Sequence, residues 1–415
     1  MIKGTRSLIP AMFLAGWATY GFSLFDVGRF SITLLLLASL ALALSGFRLS
    51  RTALAAFACL LFSCLLAWFI ALAKYPELEK TFTHLAQCMV AIGVMTGAAS
   101  INWEKELPRL RAALLFTAIV VLAYGFYQIA ARRLLLPGAF LPITNLQLAT
   151  DEGLQRGFSH ASLGAPMFTR VSSFFPEPSD LGRFMLWVFA FGYACRRGKL
   201  KFLLMGTGVA GIILSQSMGG LVGLAFLVSL TILLKRDFRG FVLAIVFFGG
   251  AVAGFSHFWP EETEQVKTRA ETIAVMPETH LAQTGRFAYV GDHFALFQES
   301  PILGYGLASI KKVTDPSSVV VNACMFQLLE RGIVGSILFF GPFLWCFVYL
   351  SRLGSKRDEI TNTALLILIV EIFCFSTFAM VYFPPIYLAL GLALNRAGYA
   401  RIHGAREHRT DFQER

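Results

Sequence analysis

Two stretches of the chain hold residues whose types and spacing suit chemistry on an oxyanion beside a hydroxyl group. In the first, Met167–Arg183 (MFTRVSSFFPEPSDLGR), proline stands on either side of Glu177. Proline fixes its own φ and biases the residue before it to extended backbone, so this carboxylate is placed and suits general-base work. Ser179 or Asp180 is the expected N-cap of a helix formed by the apolar run from Leu181, and the positive end of such a helix attracts phosphate. Arg170 and Arg183 flank it. The same pattern also fits a capped helix with solvated arginines beside it.

The second stretch, Thr284–Gly306 (TGRFAYVGDHFALFQESPILGYG), contains Phe287, Val290, Phe294 and Phe297 at helical spacing, which predicts a helix over 285–297. On that helix Arg286, Tyr289 and His293 share a face. The planar fork of arginine binds oxyanions bidentately, and histidine is a second candidate base. Tyr305, between two glycines, and Asn322, further along, are additional candidate contacts. An amphipathic helix lying on a bilayer has the same pattern.

The elements that must carry these stretches are membrane helices. Of the 415 residues, 56% are apolar or aromatic and 15% charged, against about 25% charged in soluble domains. Phe alone supplies 40 residues and the mean hydropathy is +0.65. A soluble enzyme or a nucleic-acid binder is excluded. The apolar residues fall in blocks long enough for a helix to cross a bilayer, with about twelve expected spans near 8–24, 30–46, 53–72, 82–99, 112–131, 181–195, 202–217, 219–234, 241–258, 323–350, 363–382 and 385–400. The expected fold is an all-α polytopic membrane protein, residues 1–415 forming a single membrane domain. The opening Lys3 and Arg6 precede the first span and not a cleaved leader.

With a cytoplasmic N-terminus, more than half of the 36 Lys and Arg fall on the inner side, among them Arg48, Arg51, Arg109, Arg196, Arg197, Lys235, Arg352, Lys356 and Arg401. The formal charge of +11 is therefore mostly topology. Both termini are expected in the cytoplasm, with two long outer loops over 132–180 and 259–322, the second containing the amphipathic helix. Loops of that length usually carry function or are disordered, and the recurrent apolar and aromatic residues favour function. The glycines near 206–211, 219–223 and 249–254 are expected to pack helices closely.

Other polar residues say less. Glu371 within an apolar run must face a cavity or a partner, and Glu330 and Arg331 read as a local pairing or an outer interface. His84, His160, His257 and His280 lack metal-ligand spacing, so no metal is expected, and the seven cysteines read as small buried hydrophobes.

At its two polar stretches the sequence resembles the O-antigen polymerase and ligase superfamily, the Wzy and WaaL type. The resemblance rests on an arginine before an aromatic, proline-containing stretch (Arg170 to Ser179), Gly285-Arg286, then Ser300 to Gly306 in the pattern Ser-Pro-Ile-x-Gly-x-Gly. It is completed by a late Asn322 followed by Leu328, Glu330 and Gly332. It implies glycosyl transfer on the periplasmic face of the bacterial inner membrane from an undecaprenyl-pyrophosphate-linked oligosaccharide, with no cofactor, nucleotide sugar or metal. Arg170 and Arg286 match the paired arginines of the family and are expected to bind pyrophosphate. The base is Glu177 or His293 on physical grounds, with Arg183, Tyr289, Tyr305 and Asn322 as possible contacts. Ligases of the family typically have histidine immediately before the late asparagine, where this chain has Val321, so a polymerase of O-antigen or a related surface polysaccharide is the expected activity. A ligase acting on lipid A core or protein is the nearest alternative, and a lipid-linked oligosaccharide flippase a third. Membrane lipid is an expected partner, a chain-length regulator stays open as another, and nucleic acid is not expected.

Topology is directly testable. Alkaline phosphatase fused at Gly153 or Thr272 should be active, and fused at Lys199 or Ser355 inactive; the reverse pattern would put both loops in the cytoplasm.

Overall fold

The structure, a computed structural model, describes residues 9–20, 23–27, 30–44, 49–76, 80–134, 136–137, 171–196, 198–235, 242, 246, 249, 290–313, 323–353, 358–377 and 383–413. Among the described residues the elements are helices apart from one two-stranded ribbon. In chain order come α1 (Ile9–Ala18), β1 (Phe25–Val27), β2 (Phe30–Ile32), α2 (Leu34–Leu44), α3 (Arg51–Lys74), α4 (Lys80–Ser100) and α5 (Trp103–Arg133). Then follow α6 (Pro178–Ala194), α7 (Lys199–Ser215), α8 (Met218–Lys235), α9 (Val290–Glu299), α10 (Ile310–Val313), α11 (Ala323–Arg352), α12 (Glu359–Thr377) and α13 (Pro384–Gln413). The apolar runs expected from 8 to 234 and from 323 to 400 all carry helices; the run at 241–258 lies almost wholly outside the described residues. Among the described residues, Arg51–Lys74, Thr81–Ser100, Trp103–Ala131 and Ala323–Arg352 are long and apolar enough to cross a membrane.

The first expected span is shorter than its apolar run. α1 stops at Ala18, and at the start of the second expected span Phe30–Ile32 pairs antiparallel with Phe25–Val27, Phe25 opposite Ile32 and Val27 opposite Phe30. Phe, Val and Ile in these short segments suit a strand as well as a helix, and length alone does not separate the two.

The chain divides into two compact units, Met1–Ala41 with Asn102–Lys267, and Leu42–Ile101 with Thr268–Arg415. In the first, α6 is buried on every side from Ser179 to Ala194, as expected of a helix apolar all round. Trp17 of α1 stands edge-on to Phe184 and Trp187 at 5.1 and 4.9 Å. α7 lies against α6 so closely that a Cβ on Gly208 would be 2.7 Å from the Phe189 nitrogen, the tight packing its glycines predict.

In the second unit, α3 begins at Ser50, whose side chain accepts from the Ala53 N–H. α13 lies on α4, and the Asn395 amide donates to the carbonyls of Ala99 and Ile101 at 2.8 and 3.1 Å, satisfying groups that the end of α4 leaves open. Asp358 caps the start of α12 through the Thr361 N–H at 2.7 Å and pairs with Arg396 of α13. Phe339 and Phe343 of α11 meet Phe375 of α12, their rings 6.0 and 5.1 Å away.

Candidate functional site

In the first unit the polar residues gather where α6 begins. Ser173 has a positive φ of 54° and is held to α5: its N–H donates to the Gln128 amide oxygen at 2.8 Å, and its hydroxyl to the Val121 carbonyl at 2.7 Å. That latch aims the following residues at the helix start. The N-cap is Glu177, with Pro178 in the first turn, so the helix starts earlier than the expected cap at Ser179 or Asp180. The physical reason is the proline: it lacks an N–H that the first turn would leave unpaired, and its φ is already helical. Ser179 instead donates its hydroxyl to Glu177 Oε2 at 2.9 Å. Glu177 is exposed.

One turn further in, Asp180 (4% exposed) accepts a 2.6 Å bond from the Tyr20 hydroxyl, and Arg183 (1% exposed) is enclosed. Arg183 is thus a buried part of this cluster and not a solvated flank. Tyr20, at the end of the first apolar run, carries no sequence signal that it meets Asp180.

The second unit contains a different construction. α11, expected as an unbroken span, is interrupted at Gly332, whose φ and ψ are 59° and −167°. The backbone groups that the break releases are taken up by the Ser300–Ser309 turn. Tyr305 and Gly306 N–H donate to the Leu329 and Glu330 carbonyls, both at 2.8 Å, while Ile333 and Val334 N–H donate to the Pro301 and Ile302 carbonyls at 2.8 and 3.2 Å. These are the donors and acceptors that two successive helical i to i−4 bonds would have paired with each other. The same turn reaches α3, where Leu307 N–H donates to the Ala67 carbonyl at 2.9 Å and Gly306 approaches Ala71 too closely to admit a Cβ.

Side chains complete the splice. Glu330, fully buried, accepts from the Ala308 N–H at 2.7 Å. Lys74, at the end of α3, donates to Ser300 Oγ and the Gly304 carbonyl at 3.1 and 3.0 Å and sits 5.2 Å from the Tyr305 ring centre. The Tyr305 hydroxyl faces the Leu296 carbonyl at 2.9 Å and Glu299 Oε2 at 2.7 Å. Burial first, and then the Glu299 carboxylate, push that phenol up to about 12, so it remains a donor at working pH. Arg331 (1% exposed) turns the other way, donating to Ser63 Oγ at 2.7 Å and facing the sulfurs of Cys64 and Cys88 at 3.4 and 4.0 Å. Glu330 and Arg331 thus each have a partner on another part of the unit.

The expected helix over 285–297 is described as Val290–Glu299. His293 (4% exposed) is on its inward face, and Leu296 and Phe297 pack against the cluster of Tyr305, Ile310 and Leu329. Phe294, expected in the same apolar stripe, is half exposed. Arg170, Arg286, Tyr289 and Asn322 lie outside the described residues. The structure thus brings Glu177 and Arg183 together in one cluster, and His293 and Tyr305 in another. Sequence reasoning missed Tyr20, Gln128, Ser63 and Lys74 as partners of these clusters. Only Lys74, a cation at the end of an apolar run, carries even a general signal. Gln327 was also missed; its fully buried amide has no hydrogen-bond partner for either oxygen or nitrogen among the described residues.

The break, the turn and their spacing fall where the late family motifs stand. Comparison with family models agrees: residues 202–340 match the family described as O-antigen ligase (Wzy_C). No curated protein matches the chain.

The splice can be tested by adding one methyl group. A Cβ on Gly332 would lie 2.3 Å from the Ile302 carbonyl oxygen, in a backbone region that only glycine adopts freely. Gly332→Ala should therefore cost at least about 1–3 kcal/mol in thermal unfolding of the purified protein. Gly341→Ala, on the same helix with nothing within 4 Å of the new methyl, should be neutral or stabilising. Equal behaviour of the two would rule the splice out.

The apolar helices point to a membrane-embedded protein, and its residues 202–340 are similar to the O-antigen ligase family (Wzy_C).

Proposed function

We propose that the protein polymerises undecaprenyl-pyrophosphate-linked repeat units into O-antigen or a related surface polysaccharide. The match of residues 202–340 to the O-antigen ligase family supports glycosyl transfer of this general kind. The membrane is the bacterial inner membrane, crossed about twelve times, with both termini cytoplasmic and the 132–180 and 259–322 segments periplasmic. That topology sets the starts of α6 and α8 and the ends of α1, α3 and α7 toward the periplasm.

In the reaction a hydroxyl of the acceptor glycan attacks the anomeric carbon of the donor. The bond from that carbon to the pyrophosphate oxygen breaks, and the electron pair leaves with the lipid pyrophosphate. The hydroxyl proton passes to a base. Charge builds on the leaving phosphate, so cations fixed beside it lower the barrier without a metal. Arg170 and Arg286 are assigned that work. Glu177 is the better-prepared base of the two candidates: it is exposed, its backbone is bounded by prolines, and the Ser179 hydroxyl holds one carboxylate oxygen. His293, on the inward face of α9, needs that helix to shift before it reaches a substrate.

A ligase that transfers finished glycan to lipid A core or protein is the second reading, favoured by the description of the matched family. Val321 in place of the histidine of ligases favours the polymerase.

Arg170→Ala and Arg286→Ala should each lower polymer yield about a hundredfold to a thousandfold with the protein still in the membrane, since one charge-assisted contact in a dry site is worth ~2.7–4 kcal/mol. Lysine should restore only part of it, lacking the bidentate fork. Near-normal polymer in either alanine variant would remove that arginine from the site.

Deletion of the gene separates the two readings. Loss of a polymerase leaves single repeat units on the final acceptor, because a separate ligase still acts. Loss of a ligase leaves long chains stranded on undecaprenyl pyrophosphate. Gel and mass analysis of both pools should give the first pattern, and stranded long chains would refute the polymerase.

A further inference from the structure

We propose that Tyr305 is a positioning residue that fixes α9, and with it His293, against the interrupted α11. This deepens the glycosyl-transfer reading and rests on it.

The backbone of Tyr305 has little freedom. Its N–H is bonded to the Leu329 carbonyl at 2.8 Å, and a Cβ on Gly304 before it or Gly306 after it would strike the backbone of α11 or α3 within 2.5 Å. From that fixed point the side chain reaches α9. The hydroxyl faces both the Leu296 carbonyl, one of the last-turn acceptors that a helix end leaves open, and the Glu299 carboxylate. The ring packs with Ile310 and Leu329, and Leu296 and Phe297 of α9 lie against that group.

Among the described residues, α9 meets the rest of the unit through Leu296, Phe297 and Glu299, which lie against Tyr305 and its cluster. Its position therefore depends on contacts to the rest of the unit. A substrate that took the Tyr305 hydroxyl would have to displace the Leu296 and Glu299 bonds. The geometry consequently gives Tyr305 an effect on the substrate through α9 and not by direct contact.

The test uses the full chain in lipid nanodiscs for hydrogen–deuterium exchange, and the same variants in a deletion strain for polymer yield. Tyr305→Phe keeps the ring and removes the hydroxyl. It should raise exchange of α9 amides about threefold to tenfold, the size of one net hydrogen bond, leave the second half of α11 unchanged, and lower polymer yield by a similar factor. Glu299→Gln, which leaves the bond to Leu296 in place, should change both less.

Unchanged exchange in α9 overturns the proposal, and lost polymer in that case means that the hydroxyl meets substrate directly. A loosened α9 with full polymer yield also overturns it, as does a rise in exchange spread evenly over α3 and α11, which would mark general destabilisation. Surface polysaccharide left unchanged by deletion of the gene sinks the glycosyl-transfer reading itself, while the exchange result still decides whether Tyr305 holds α9.

Discussion

The second unit depends on two helical hydrogen bonds that are not made. At Gly332 the carbonyls of Leu329 and Glu330 part from the N–H groups of Ile333 and Val334, and the Pro301–Gly306 backbone supplies a partner to each. In hydrocarbon an interrupted helix is tolerated only where its released groups are paired again within protein. Because the turn is bonded at both sides of the break, the angle of α11, the path of the turn and the reach of Tyr305 toward α9 are set together. Glu330 and Arg331 then point away from each other, one to the turn and one to α3.

The first unit solves its positioning problem by other means. α6 is enclosed along its length, so its start cannot drift, and the strain at Ser173 is offset by bonds to Gln128 and Val121 of α5. Both units use a buried polar group to anchor irregular backbone next to a regular helix. A carboxylate at the N-cap in one and a tyrosine between glycines in the other are the visible products.

Most helices were legible because apolar runs of membrane length have few other interpretations. The start of α6 was legible to within a few residues, the error arising from weighing the capping side chains of Ser179 and Asp180 above the proline at 178. The break in α11 was not legible, since the Gly-Ile-Val-Gly of residues 332–335 follows Glu330 and Arg331 within an otherwise apolar run, and one glycine does not announce a kink. Nor was the inward turn of His293, because the face a short helix buries is decided by what it meets, here residues 305–310. The stripe pattern placed Phe294 and Phe297 inward; Phe297 does pack there, but Leu296 takes the place of Phe294. Pairings such as Tyr20 with Asp180 or Ser63 with Arg331 join residues far apart in the chain, and no local pattern encodes them.

The splice also bears on the order of assembly. Ser63, Cys64 and Cys88 are synthesised long before Arg331, and the Pro301–Gly306 turn emerges before the helix whose gap it fills. When α11 leaves the translocon it carries a glutamate, an arginine and a discontinuity, and insertion scales put one arginine at a helix centre at about 2.5–3.5 kcal/mol. A preassembled α3 and α4 lowers that cost, because Ser63, Cys64 and Cys88 meet the guanidinium as it arrives. The early hairpin of this unit thus holds the partners that its late helix needs, and the order of the chain allows them to be in place first.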